Sequence, residues 1–222
     1  SQAPRLLAVV GPSGSGKSSL VQAGLLADLG RRPPAAVSYV AAVLRPQGRP
    51  LLALALALLR LRSPDKDWSL AEVDGFTARL RAGGRALGDL LALVLPDGSQ
   101  RLLLVVDQLE ELYTMTEPSE QGVAERKAFV ETLLTAARES GGRLDVVVTL
   151  RSDLLGETGQ DPALQKALMT SGRVLLVGAL DQDAGLGRLL WPIDVGRCDL
   201  APNRHARVRR RRVDRDQRRE VQ

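Results

Sequence analysis

The stretch GPSGSGKSS at residues 11–19 combines three glycines, four serines and one lysine. Glycines in such a loop let backbone N–H groups approach phosphate oxygens closely. A lysine followed by a hydroxyl supplies a mobile positive charge for β- and γ-phosphates and an oxygen ligand for Mg²⁺. The spacing G-x-x-x-x-G-K-[ST] of a Walker A loop, which predicts a nucleotide site, is met by Gly11, Gly16, Lys17 and Ser18.

A phosphate loop of this kind needs a strand before it and a helix after it, and the sequence predicts both. The apolar run RLLAVV at 5–10 is typical of a buried strand, and helical spacing of apolar residues begins at Lys17. A helix that begins there points the positive end of its dipole at bound phosphates. The residues expected to contact the nucleotide are Gly11, Pro12, Ser13, Gly14, Ser15, Gly16, Lys17, Ser18 and Ser19, and Ser18 is also expected to bind Mg²⁺.

A second candidate ligand for Mg²⁺ follows another apolar strand. The run RLLLVVD at 101–107 ends in Asp107. A carboxylate at the end of a buried strand beside the phosphate loop is the second protein ligand of Mg²⁺ in P-loop proteins. The alternative is an aspartate that only caps the turn after its strand. With the loop at 11–18 upstream, we expect Asp107 to bind Mg²⁺.

The group that orients the attacking water is less clear from the sequence. Many ATPases have a glutamate directly after the strand-end aspartate, whereas this chain has Gln108, whose amide cannot act as a base. Glu110 and Glu111 follow. Either one of them reaches the water, with Glu110 the first candidate, or both are solvated acids favoured by a helix N-terminus.

An arginine follows the next apolar strand, LDVVVTL at 144–150. Arg151 lies just past the end of that strand, at the edge of the sheet where nucleotides bind in α/β proteins. Its guanidinium is a candidate sensor of the γ-phosphate, and the alternative is a surface ion pair with Asp153. The candidate catalytic residues are therefore Lys17, Asp107, Glu110 and Arg151.

The elements that must position these residues alternate between strands and helices. This alternation predicts an α/β fold with a mainly parallel sheet, and uniformly apolar strands predict that both faces of the sheet are covered. The predicted strands are 5–10, 36–44, 101–107, 144–150 and 173–178; the predicted helices run from Lys17 to Gly30 and over 50–61, 69–82, 85–95, 123–139 and 161–172.

The composition limits the other classes of function. One cysteine and one histidine argue against a disulfide framework, a histidine metal site and a Ser-His-Asp triad. The longest apolar run, at 50–59, is about half of the ~20 residues that a membrane-spanning helix needs.

The positive charge of the chain is concentrated at its C-terminal end. Residues 197–222 contain ten arginines against four acidic residues, so the net charge of +5 comes from this tail. We expect 181–222 to be a poorly structured arginine-rich tail; the alternatives are a truncated or frame-displaced sequence, a nucleic-acid-binding arm or a helix completed by a partner.

Five segments together resemble the novel STAND NTPase type 1 family, a group of signal-transduction ATPases. They are VVGPSGSGKSSLVQAGLLADL, VLRPQGRPLLALA, LLLVVDQLEELYT, AERKAFVETLLTAA and VVVTLRSDLLG, in order over residues 5–180. The resemblance implies a P-loop NTPase three-layer sandwich over 1–180, with a five-stranded sheet in the order 5-1-4-3-2. It also implies an ATP-dependent switch that self-associates on activation and works with sensor and effector domains. The residues that match the family's nucleotide site are Gly11, Gly16, Lys17, Ser18, Asp107 and Arg151.

The sequence thus predicts a cytoplasmic, ATP- and Mg²⁺-binding switch domain that hydrolyses ATP slowly. ATP is favoured over GTP because the chain has no N-K-x-D motif for guanine. A nucleic-acid-associated P-loop ATPase is one alternative, supported only by the basic tail. A nucleotide-binding scaffold without turnover is another, supported by Gln108.

Overall fold

The structure is a computed structural model, and it describes residues 4–31, 38–83, 85–170, 173–178 and 197–199. The strands within these residues are β1 (Leu6–Gly11), β2 (Ser38–Leu44), β3 (Gln100–Val106), β4 (Leu144–Arg151), β5 (Val174–Leu176) and β6 (Arg197–Asp199). The helices are α1 (17–31), α2 (Pro50–Arg62), α3 (Leu70–Arg81), α4 (Ala86–Val94), α5 (Glu111–Thr114), α6 (Glu120–Glu139), a 3₁₀ helix (Ser152–Gln160) and α7 (Pro162–Thr170).

The described strands form one parallel sheet in the order β5-β1-β4-β3-β2-β6. Its first five strands have the order 5-1-4-3-2 that the family resemblance implies, so the α/β P-loop fold is confirmed. The short β6 pairs with β2 and belongs to the segment 181–222, predicted to be a poorly structured tail. The remainder of that segment lies outside the described residues, so the domain boundary near 180 stays a prediction.

Successive residues of a strand direct their side chains to opposite faces of the sheet, where they pack against different helices. In β1, Leu6, Ala8 and Val10 pack in a large apolar cluster with residues of α2, α3, α4, α6 and α7. Leu7 and Val9 pack on the opposite face with residues of α1. The sheet is therefore covered on both faces, as its uniformly apolar strands predict, and the molecule has three layers.

Helix α1 follows the phosphate loop and changes geometry along its length. It consists of an α-helical turn (Lys17–Ser19), a π-helical stretch (Leu20–Leu26) and an α-helical end (Ala27–Arg31). The wider π-helical turn brings residues five apart onto one face, which fits the burial of Val21 and Leu26.

Helix α1 continues one residue past Gly30, to Arg31, the last described residue before 38. The helix continues to Arg31 because Leu29 is fully buried, whereas a glycine inside a helix costs only about 1 kcal/mol relative to alanine. The prolines at 33 and 34, also expected to stop the helix, lie outside the described residues.

The start of α6 was also predicted inaccurately. The helix begins at Glu120 rather than near 123 because the Ser119 hydroxyl accepts a 3.1 Å hydrogen bond from the Gly122 N–H and caps the helix. The apolar face predicted for this helix is buried as expected: Val130, Leu133, Leu134 and Ala137.

Among the described residues, no helix combines the length and apolarity that crossing a membrane requires.

Candidate functional site

The loop between β1 and α1 turns on two glycines with left-handed backbones. Gly14 has φ 75° and Gly16 has φ 80°, values that residues with a side chain rarely adopt. Gly16 is the N-cap of α1, so the helix begins directly at Lys17. Gly14 and Gly16, both predicted to contact the nucleotide, are therefore glycines because the loop requires left-handed backbone conformations at these positions.

Gly11, the last residue of β1, is a glycine for a different reason. A Cβ on this residue would lie 2.3 Å from the carbonyl oxygen of Val177 and 2.8 Å from Oγ of Ser15. The backbone after β5 thus approaches the start of the loop closely, and the Val177 N–H donates a 2.7 Å hydrogen bond to the Val10 carbonyl.

Lys17 lies buried beneath the loop, with 8% of its surface exposed. Its Nζ donates hydrogen bonds to the carbonyl oxygens of Gly11, at 2.9 Å, and Pro12, at 2.6 Å. The ammonium therefore lies against the first residues of the loop, which is where a phosphate-binding charge is needed.

Ser15 provides a direct test of whether the loop fits a phosphate. Among the described residues, its Oγ is buried without a hydrogen-bond partner. A buried hydroxyl without a hydrogen-bond partner costs free energy, and a phosphate oxygen bound in the loop would accept a hydrogen bond from it. The loop residues thus fit the phosphate group that the sequence pattern predicts.

Asp107 is buried at the end of β3 and joins the loop to the sheet. Its Oδ1 accepts two hydrogen bonds of 2.7 Å, one from Oγ of Ser18 and one from Oγ1 of Thr149. Carboxylate and hydroxyl oxygens are ligands that suit Mg²⁺, which takes few protein ligands and completes its shell with phosphate oxygens and water. The chemistry of this pair fits a nucleotide-bound Mg²⁺.

Gln108 has a left-handed backbone with φ 58° and is held at both ends. Its N–H donates a 2.8 Å hydrogen bond to Oγ1 of Thr149. Its side-chain oxygen Oε1 accepts a hydrogen bond from Nη2 of Arg45, the residue that follows β2. The amide in the place of the usual glutamate is therefore bound by a guanidinium.

Glu111 is not the solvated acid that one sequence alternative describes. Its side chain is buried, and its carboxylate pairs with Arg45 and accepts a 3.1 Å hydrogen bond from the Gln47 N–H. Gln47 itself has φ 50°. Glu111 thus ties the loop after β2 to the beginning of α5.

Glu110 is also buried, and it lies on the side of β4. Its Oε2 accepts a 3.4 Å hydrogen bond from the Arg151 N–H. Burial raises the pKa of Glu110 above its ordinary 4.5, although the charges of Lys17 and Arg151 act in the opposite direction. The carboxylate therefore lies within the electrostatic reach of the phosphate-loop lysine.

Arg151 ends β4 and pairs in register with Gly11 of β1. Its guanidinium forms an ion pair with Asp153, with Nη2–Oδ2 at 2.6 Å and Nε–Oδ1 at 3.2 Å. Both side chains are well exposed. The surface ion pair expected as the alternative is present, and the sensor role of Arg151 stays a prediction.

The structure thus brings the candidate residues of β1, β3 and β4 to one edge of the sheet. Sequence reasoning missed two residues there, Thr149 and Arg45. Thr149 carries a signal that reading of the sequence could have used, because it is a polar residue directly after three valines, near the end of the strand LDVVVTL. A buried hydroxyl normally has a hydrogen-bond partner. At the end of β4, the nearby polar groups that could serve as that partner include the candidate site residue Asp107, which follows β3.

Comparison with protein families gives one match. The model of the family described as novel STAND NTPase 1 matches residues 1–210 of the chain. No curated protein sequence matches the chain significantly.

Solved structures are similar to the chain in fold. The Aeropyrum pernix ORC2 protein, in its ADPNP-ADP complexes, has a TM-score of 0.54 and 16% sequence identity, and the match covers 80% of this chain and 43% of that one. The E. coli MS115-1 HORMA:CdnC:Trip13 complex matches with a TM-score of 0.43 and 16% identity over 79% of this chain and 49% of that one. In both comparisons the chain spans less than half the length of the protein it matches.

Proposed function

The chain belongs to the novel STAND NTPase 1 family, and from that premise we propose that it is the ATP-binding, slowly hydrolysing switch domain of a signal-transduction ATPase. The observation that carries the proposal is the 2.7 Å hydrogen bond between Ser18 and Asp107. It joins the phosphate loop and the strand-end carboxylate, which are the two parts that a nucleotide with Mg²⁺ requires. Nucleotide binding by a P-loop domain follows from the family itself.

Each residue has a defined part in this proposal. Lys17 binds β- and γ-phosphate oxygens, and the loop's backbone N–H groups and the Ser15 hydroxyl bind the remaining oxygens. Ser18 and Asp107 hold Mg²⁺. When bound, Mg²⁺ neutralises charge that develops on the phosphates during transfer.

Slow hydrolysis follows from the residues that surround the strand-end carboxylate. Gln108 cannot take a proton from water, and its side chain is bound by Arg45. Glu110 is the remaining candidate base on this side, and its raised pKa moves it towards the range in which a carboxylate accepts protons efficiently at neutral pH. An arginine supplied by a neighbouring copy is worth roughly 10³–10⁵ in rate in related chemistry. We therefore expect the chain alone to turn over well below the ~1–100 s⁻¹ typical of kinases.

A scaffold that binds nucleotide without turnover is the second candidate function. The contact between Arg45 and Gln108 favours it, because this contact fixes an amide where fast ATPases have a catalytic carboxylate. Arg151 is likewise engaged by Asp153. The two candidates share every binding residue and differ only in whether the γ-phosphate is cleaved.

The wider role rests on the family. We propose self-association on activation, a cytoplasmic location, and sensor and effector domains that are fused to the chain or separate from it. Any contact with nucleic acid would involve the arginine-rich segment after residue 180, most of which lies outside the described residues.

Two measurements test the proposal. Calorimetry with ATP and with GTP, each with Mg²⁺ or EDTA, should show binding of ATP that Mg²⁺ strengthens and weaker binding of GTP. Single-turnover hydrolysis with excess protein then separates the switch from the scaffold. Slow γ-phosphate release that Lys17→Ala abolishes supports the switch, and release indistinguishable from the Lys17→Ala background supports the scaffold. Failure of ATP to bind in calorimetry would reject both.

A further inference from the structure

Thr149 occupies an unusual position in β4. It is a polar residue with 1% of its surface exposed, between the buried apolar residues Val148 and Leu150. Val148 pairs with Val106, so the parallel register places Thr149 beside Asp107, the next residue along β3. Thr149 thus lies at the strand end beside the proposed Mg²⁺ ligand.

The hydrogen bonds of the Thr149 hydroxyl fix the position of its single proton. The Gln108 N–H donates to Oγ1 of Thr149 at 2.8 Å, and a backbone N–H can only donate. The hydroxyl proton is therefore free to point at Oδ1 of Asp107, which lies 2.7 Å away. The Thr149 hydroxyl therefore accepts a hydrogen bond from the Gln108 N–H and donates one to the Asp107 carboxylate.

The main chain of Thr149 extends this attachment by one residue. Its carbonyl oxygen accepts a 2.9 Å hydrogen bond from the Leu109 N–H. Three consecutive residues after β3, Asp107 to Leu109, are thereby attached to one residue of β4. The attachment includes the left-handed turn at Gln108, a conformation that residues with a side chain adopt at a cost.

Two hydroxyls donate to the carboxylate of Asp107, and the side-chain amide of Gln22 in α1 donates a longer hydrogen bond, of 3.5 Å, to its Oδ2. Ser18 donates to its Oδ1 from the phosphate loop, and Thr149 donates to the same atom from the sheet. Ser18 is itself a proposed Mg²⁺ ligand, so its contact with Asp107 belongs to the binding site. Thr149 is not a proposed ligand of Mg²⁺ or of the phosphates, and it reaches the site through Asp107, from strand β4.

We propose that Thr149 is a positioning residue for the divalent cation site: it orients the Asp107 carboxylate and fixes the turn that follows it. The proposal rests on the proposed function, in which ATP binds together with Mg²⁺. Partners that orient a metal ligand without touching the metal typically contribute about 10-fold to 100-fold in metal affinity. A residue that serves folding alone would lower stability and leave the Mg²⁺ dependence of binding unchanged.

The test is a titration of Mg²⁺ at a fixed concentration of fluorescent ATP, with a parallel measurement in EDTA. Thr149→Val removes the hydroxyl and keeps the shape, Thr149→Ala removes it without adding an apolar atom, and Thr149→Ser keeps it. Thr132→Val is the matched control, since Thr132 is equally buried and its hydroxyl donates to the Leu80 carbonyl within the helical layer.

We expect Thr149→Val and Thr149→Ala to raise the half-saturating Mg²⁺ concentration by about 10-fold or more. Binding in EDTA should be unchanged, and Thr149→Ser and Thr132→Val should behave like the wild type. A Mg²⁺ titration of either hydroxyl-free variant that matches Thr132→Val would overturn the proposal, as would an equal loss of binding in EDTA. If the wild type bound ATP without any effect of Mg²⁺, the proposed Mg²⁺ role would itself be wrong and this inference would be wrong with it.

Discussion

Oγ of Ser18 donates a 2.7 Å hydrogen bond to Oδ1 of Asp107, across 89 residues of sequence. The first residue follows the lysine of the phosphate loop, and the second directly follows β3. Between them lie helix α1, strand β2 and helices α2 to α4, all of which pack so that these two oxygens meet. The pair defines the position of the proposed nucleotide site, and the predictions below concern the residues around it.

Lys17→Ala should weaken ATP binding at least tenfold, which corresponds to about 1.4 kcal/mol. The substitution removes a positive charge from the phosphate site and also the hydrogen bonds to the Gly11 and Pro12 carbonyls. Calorimetry with Mg²⁺–ATP measures the change. Lys127→Ala is the matched control, because Lys127 is exposed on α6. Equal affinities for wild type and Lys17→Ala would contradict the assignment of the loop.

Gln108→Glu should leave the turnover rate near that of the wild type. The new carboxylate would meet the Arg45 guanidinium that already binds the amide, and the charged pair should hold it at least as firmly. Single-turnover hydrolysis measures the rate, with Lys17→Ala as the background. A marked acceleration would show instead that position 108 faces the attacking water.

Glu110→Gln should change stability in a pH-dependent way. Burial raises the pKa of Glu110, so the folded state prefers the protonated carboxyl. The stability that this preference contributes is fully present below the ordinary pKa of 4.5 and is lost as pH rises through the raised value. The glutamine side chain of the variant would not ionise, and its amide oxygen retains the ability to accept from the Arg151 N–H.

Thermal unfolding of wild type and Glu110→Gln between about pH 4 and about pH 8 measures this difference. The melting temperature of the variant relative to the wild type should rise as pH rises. Glu131→Gln, on the exposed side of α6, should show no such trend. A constant difference across the range would mean that Glu110 ionises as easily in the folded protein as in the unfolded chain. Turnover by Glu110→Gln should also fall if Glu110 serves as the base.

Arg151→Ala should reduce the preference for ATP over ADP by about tenfold, the size expected of a hydrogen bond to a charged group. Arg151 ends β4 and pairs in register with Gly11, the first residue of the phosphate loop, so we expect its guanidinium to contact the γ-phosphate, which ADP lacks. Asp153→Ala breaks the same ion pair but keeps the arginine. It should preserve or strengthen the preference and have little effect on stability, because exposed ion pairs contribute little. An unchanged ratio of ATP to ADP affinity in Arg151→Ala would reject the sensor role.

Most of the fold could be predicted because its signals are local. Apolar strands and helical spacing predicted strands β1 to β5 and helices α1 to α4, α6 and α7 within a few residues, and the family resemblance supplied the strand order. The short helix α5, the 3₁₀ helix and strand β6 were not predicted. The remaining errors lie at the ends of helices, where single interactions decide. The cap at Ser119 lengthened α6, and the burial of Leu29 carried α1 past Gly30.

The contacts within the site were harder to predict because they depend on register. The pairing of Ser18 with Asp107 agrees with the expectation that both hold Mg²⁺. The roles of Thr149 and Arg45 follow from which residues the strands place side by side, and a single sequence does not specify that register. The burial of Glu111 likewise depends on Gln47, 64 residues earlier, whose left-handed backbone turns its N–H towards the carboxylate.

The close approach of Gly11 to the Val177 carbonyl has a mechanical consequence. No side chain stands between these two backbones to absorb a displacement, because even a methyl group would overlap the carbonyl oxygen at 2.3 Å. The first residue of the phosphate loop and the segment directly after β5 are thus in direct backbone contact. A shift of Gly11 towards β5 would therefore displace the backbone at Val177, and a displacement of Val177 towards β1 would in turn move the start of the loop.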